Sequence, residues 1–185
     1  MLESAKRLLK PDGILLVAIE NQLGLKYFAG APEDHLSIPM IGIQGLYKRP
    51  GVETFGRVEL TRRFREAGFK HIELALPFPD YKLATSVVLP AANAECCPFD
   101  GSVLAAQTAS RDVQTSSDQL TFSLECVWTV IGQNRLLPDL ANSFLFAVSP
   151  ALANNSPIFD TETFAIHYSS ERQAAFCKFA EFTRE

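Results

Sequence analysis

The chain has 185 residues, with 47% hydrophobic and 21% charged side chains and a formal net charge of -4. That composition is globular rather than disordered, and no basic stripe is present to neutralise nucleic-acid phosphates. The longest apolar run near the start, 14–19, is far too short to span a bilayer, and Pro11-Asp12-Gly13 interrupts any signal-like core. A cytoplasmic protein with no membrane span and no nucleic-acid partner is expected.

Leu2, Ala5, Leu8 and Leu9 share a helical face, and Pro11-Asp12-Gly13 ends that helix. The unbroken run 14–19 predicts a strand covered on both faces. Residues 20–55 are punctuated by Gly and Pro, with a short helix over 23–28, and a loop this long is usually functional. Gly56 and Glu59 mark the start of the next helix, Leu60, Phe64 and Ala67 line one face of it, and Gly68 ends it. Strands follow over 69–76 and 83–89, joined by Pro77-Phe78-Pro79-Asp80. After residue 90 a connection with at most one short helix leads to a small α+β extension. In it, 120–131 and 140–148 read as strands, as does 164–168, and 176–182 as strand or helix. The division is therefore 1–90, a linker at 91–119, and an extension at 120–185. Cys96, Cys97, Cys126 and Cys177 lack metal-ligand spacing, and no metal is assigned.

The string Leu8-Leu9-Lys10-Pro11-Asp12-Gly13-Ile14-Leu15-Leu16 resembles the helix-to-fifth-strand turn of class I S-adenosylmethionine-dependent methyltransferases. Glu66-Ala67-Gly68-Phe69 is similar to the end of that family's next helix. Residues 19–35 (IENQLGLKYFAGAPEDH) and Pro77-Phe78-Pro79-Asp80-Tyr81-Lys82-Leu83 resemble methyltransferase domains of bacterial surface-polysaccharide gene clusters. The resemblance implies an α/β fold: a partial Rossmann-like sheet, strands five to seven with flanking helices, in which 83–89 lies between 14–19 and 69–76. It implies S-adenosylmethionine as cofactor and a sugar or nucleotide-sugar acceptor as partner. No G-x-G occurs, so the donor loop is missing. Strands one to four are expected upstream, and the chain alone is expected to be inactive. It would self-associate or join an upstream half-domain.

Asp34-His35 is the candidate catalytic pair, since transfer to a hydroxyl needs a base near working pH. A turn capping a helix is the plainer account of both residues. Glu20 and Asn21, at the tip of the first strand, are candidate acceptor contacts, although Asn21 also suits a helix cap. Lys26 and Tyr27 suit a sugar phosphate and a ring, or a packed helix surface. Tyr81 and Lys82 complete the substrate-binding set. Two functions follow: the acceptor-side portion of a methyltransferase acting on a sugar-type hydroxyl, or a non-catalytic remnant that serves protein association.

Overall fold

The computed structural model describes residues 1–48, 50–94, 97–112, 120–151, 156–169 and 172–185. Among these residues six α-helices and six strands follow in chain order. They are α1 (Leu2–Leu8), β1 (Leu15–Glu20), α2 (Leu25–Phe28), α3 (Arg57–Glu66), β2 (His71–Phe78) and β3 (Ser86–Val88), then α4 (Ser102–Thr108), α5 (Leu124–Gln133), α6 (Leu137–Leu140), β4 (Ser143–Ser149), β5 (Thr163–Ser169) and β6 (Lys178–Thr183). The strands form one sheet in the order β1-β4-β2-β3-β5-β6, and every neighbouring pair is antiparallel.

This topology corrects the sequence expectation. A Rossmann-like methyltransferase sheet is built on parallel neighbours joined by crossover helices, and no such pair exists among the named strands. The strand beside β1 is β4, with Leu15 opposite Val148 and Glu20 opposite Ser143. The 83–89 region supplies only the short β3, on the far side of β2. β1 and β2 do run the same way, each antiparallel to β4, which separates them. The fold is a mixed α/β domain with an open antiparallel sheet. The methyltransferase assignment, as family, fold or enzyme, does not stand. S-adenosylmethionine goes with it, because the sheet offers no parallel strand pair to carry a donor loop.

The physical source of the difference lies in β1. Its burial alternates: Leu15, Val17 and Ile19 are half-buried, and Leu16 and Ala18 are exposed. An unbroken apolar run fits a strand packed on both faces, but here it belongs to an edge strand with one face bare.

The core lies on the other face. Phe64 of α3 packs on Phe146 of β4 (ring centroids 5.1 Å apart) and edge-on against Phe69 (6.2 Å). Trp128 of α5 stands edge-on to Phe78 of β2 at 5.5 Å. These rings are essentially fully buried, with Phe144, Leu76, Val88 and Val148 around them. α3 ends as its sequence requires: Gly68 adopts a φ of 85°, Gly68 N–H donates to Arg65 O, and Phe69 N–H donates to Phe64 O. α5 replaces the strand expected over 120–131. Leu124, Trp128 and Ile131 recur at helical spacing, and Ser123 Oγ accepts the Cys126 N–H at 3.4 Å as an N-cap.

Cys97, Cys126 and Cys177 are free thiols, and Cys96 lies outside the described residues. Among the described residues no helix is long and apolar enough to cross a membrane.

Candidate functional site

The C-terminal end of β1 delivers Glu20 into a buried ionic cluster that four further stretches of chain complete. α2 contributes Lys26 and Tyr27, the following loop Asp34 and His35, and the turn after β2 Asp80, Tyr81 and Lys82. Asp112, just beyond a turn of 3-10 helix at Ala109–Arg111, completes it.

Lys26 is 1% exposed, and its Nζ lies 3.4 Å from Asp34, 3.4 Å from Asp80 and 3.7 Å from Asp112, all buried carboxylates. Moving an ammonium and several carboxylates out of water is costly, and mutual attraction repays that cost only with good geometry. Tyr27 donates its hydroxyl to Asp34. Burial first, then that carboxylate, pushes the Tyr27 hydroxyl far above its ordinary range, so it remains a proton donor. Lys26 N–H donates to Asn142 Oδ1 at 3.1 Å, and Asn142 Nδ2 donates to Pro79 O at 3.2 Å. The residue preceding β4 thus ties α2 to the Pro79 turn.

A second layer sits nearer solvent. Glu20 Oε1 accepts Lys82 Nζ at 2.7 Å and Tyr81 OH at 3.1 Å, and Glu20 Oε2 lies 3.6 Å from His35 Nε2. The Glu20 side chain is 4% exposed, whereas those of Lys82 and His35 are 35% and 39% exposed. Lys82 also lies 3.6 Å from Asp34, which joins the two layers. The 3-10 turn Tyr81–Leu83 is fixed by Asp80 Oδ1, which accepts the Lys82 N–H at 3.0 Å, and by Ser143 Oγ, which accepts the Tyr81 N–H at 2.8 Å. His35 is held by Glu33, whose carboxylate accepts the N–H groups of His35 and Leu36 at 2.9 and 2.6 Å.

Of the residues singled out from sequence, Glu20, Lys26, Tyr27, Asp34, His35, Tyr81 and Lys82 therefore meet in one place. Asn21 is adjacent but turned inward. Its Nδ2 donates to Asp139 O and Ala141 O, both at 2.8 Å, and its Oδ1 accepts the Leu23 N–H. Asp80 lies in the segment 77–83, where the sequence marks it only as a turn residue. Asp112, Asn142 and Ser143 carried no local signal. Asp34 and His35 do not form a dyad: Asp34 faces Lys26 and Tyr27, and the carboxylate behind His35 is Glu20.

Burial raises the pKa of the Glu20 carboxyl, but the hydrogen bond from Lys82, with help from the backbone and Tyr81, outweighs it and holds the group below its ordinary 4.5. Burial likewise lowers the Lys82 pKa, and the hydrogen bond to Glu20 with nearby Asp80 and Asp34 drives it well upward overall. A carboxyl whose pKa is depressed by folding stabilises the fold above its ordinary value, and that contribution is lost as pH falls through the depressed one. Lys82→Met is therefore expected to lower the urea midpoint at pH 7 and to have a smaller effect at pH 3. Equal losses at both pH values would show that the pair contributes nothing through Glu20 ionisation.

Among the described residues, no group of three or more His, Cys, Asp or Glu is arranged to hold a metal ion. No protein-family model, curated protein sequence or solved structure matches the chain.

Proposed function

We propose that the protein binds a hydroxyl-rich, sugar-type ligand at the mouth formed by His35, Tyr81 and Lys82 over Glu20. The carrying observation is that a nearly fully buried carboxylate contacts three polar side chains, of which His35 and Lys82 remain more than a third exposed. Such a floor costs stability to build, and perturbed ionisable groups collect at functional sites more often than elsewhere. A ligand hydroxyl donates to the imidazole or to Glu20 and accepts from Lys82, and the Tyr81 ring offers a stacking face. Partial exposure of the donors allows this exchange without opening the Lys26 layer beneath.

Titration of isotopically labelled protein with neutral mono- and disaccharides, followed by amide shifts, tests the reading. Shifts are expected to centre on 33–36 and 80–83. His35→Ala and Tyr81→Ala are each expected to weaken binding about tenfold, about 1.4 kcal/mol, the first through a lost hydrogen bond and the second through the lost stacking face. Saturating shifts confined to other surfaces, or affinities unchanged in both variants, would overturn it. A protein-association role is a second reading, favoured by the bare edge of β1.

A further inference from the structure

We infer that β1 pairs with β1 of a second copy of this chain across a two-fold axis, giving a continuous twelve-stranded sheet. The inference is independent of the ligand site.

Three features of the edge point there. The first is its open hydrogen-bonding groups. Asn21 N–H donates to Asn142 O on the β4 side, and Gln22 N–H donates to Phe55 O on the other. Because backbone groups alternate along a strand, Leu16 and Ala18 turn their N–H and C=O away from β4. Among the described residues, this outer side is bridged at Asn21 alone, to Phe55.

The second feature is missing protection. Natural edge strands carry charges, proline or bulges that discourage pairing. From Leu15 to Ile19, β1 has none, and Leu16 is 62% exposed. The opposite edge, β6, carries exposed Lys178 and Glu181 and pairs through a register break near Thr163. One edge is guarded and the other is not.

The third feature is self-complementarity, which selects a second copy over another strand. A two-fold axis perpendicular to the sheet makes the pair antiparallel and keeps both helical layers on the same side. With the axis at Val17, Leu15 faces Ile19 of the second copy and Leu16 faces Ala18, so the opposed pairs from Leu15 to Ile19 are all apolar and Glu20 meets Ile14 only at the margin. The outward groups of Leu16 and Ala18 then exchange four hydrogen bonds, and Val17 faces its own equivalent at a position without them. A slip placing the axis at Ala18 would draw Glu20, which is held by Lys82 and Tyr81, inside the paired segment opposite Leu16. Beside the strand lies an apolar groove of about 410 Å³ floored by Leu2, Val17, Ile19, Leu60 and Phe64. Glu3, Glu66 and Arg63 rim it, so the rim carries both signs, as a surface apposed to its own copy requires.

Sedimentation equilibrium of the full chain, under reducing conditions from micromolar to about millimolar, is expected to show a monomer–dimer equilibrium. Leu16→Lys, at an exposed position that folding does not depend on, is expected to weaken the dimer about tenfold or more. In a background with all cysteines changed to serine, Val17→Cys is expected to give a disulfide-linked dimer on mild oxidation. Opposed residues without mutual hydrogen bonds have Cα atoms about 4.5 Å apart, within disulfide range. Leu15→Cys, whose facing residue is Ile19, should not cross-link. A monomer across the whole range overturns the inference. A dimer that ignores Leu16→Lys and does not cross-link at position 17 overturns it equally, since its contact then lies elsewhere.

Discussion

Lys26→Met is expected to remove about 3–5 kcal/mol of stability, the usual cost of deleting one partner of a buried ion pair. The methylene stem keeps its packing, but Asp34, Asp80 and Asp112 lose the ammonium that lies within 3.4–3.7 Å of each. Domains of this size have total stabilities of roughly 5–15 kcal/mol, so the variant should be marginal at 25 °C. Adding Asp80→Asn should recover part of the loss. It removes one uncompensated charge, and its amide oxygen can still accept the Lys82 N–H that Asp80 Oδ1 accepts now. Urea unfolding of the single and double variants measures both. A loss below about 1 kcal/mol for Lys26→Met would mean that water reaches the three carboxylates, contrary to their burial.

Phe64→Ala is expected to cost about 3–5 kcal/mol through lost burial and the cavity left behind. Phe64 is fully buried and touches both Phe69, beyond the end of its own helix, and Phe146, in the strand beneath. It is the rivet between α3 and the β1-β4-β2 half of the sheet. The fluorescence of Trp128, the only tryptophan, reports unfolding without being disturbed by the change, since its aromatic neighbour is Phe78. Phe28→Ala is the control: that ring is 41% exposed and should cost well under half as much. Similar losses for the two would mean that α3 is not anchored through Phe64.

Local chemistry made parts of this fold legible. Gly56 and Gly68 bracket α3 because helix ends depend on the few residues around them. The strands at 15–20 and 71–78 lie within a residue or two of their expected positions. Two short strings, 19–35 and 77–83, hold Glu20, Lys26, Tyr27, Asp34, His35, Asp80, Tyr81 and Lys82, leaving only Asp112 of the ionic cluster outside them. What sequence could not supply was long-range. Residues 120–131 satisfy alternation through Leu120, Phe122 and Leu124 and helical spacing through Leu124, Trp128 and Ile131. Packing of Trp128 on Phe78 accompanies the helical outcome. The run Leu15–Ile19 reads alike whether a strand is sandwiched or lies at an edge; only the neighbours decide. Asp112 reaches Lys26 from a stretch with little periodicity, so nothing nearby announced it.

The position of β4 bears on how the molecule can be made. β1 and β2 leave the ribosome before the strand that joins them, since they do not pair with each other and both are bridged by Ser143–Ser149. β1 therefore has no partner strand, and β2 has only the short β3, until Ser143–Ser149 has been made. Closure of the sheet brings Leu15 against Val148, a contact of very long sequence separation. Loop-closure entropy makes such contacts slow to form. During that interval the apolar stretch of β1 is available to any strand that reaches it, including β1 of a neighbouring nascent chain. The same unguarded edge that favours pairing in the finished protein is thus its point of greatest exposure to aggregation during synthesis, and chaperone demand should concentrate there.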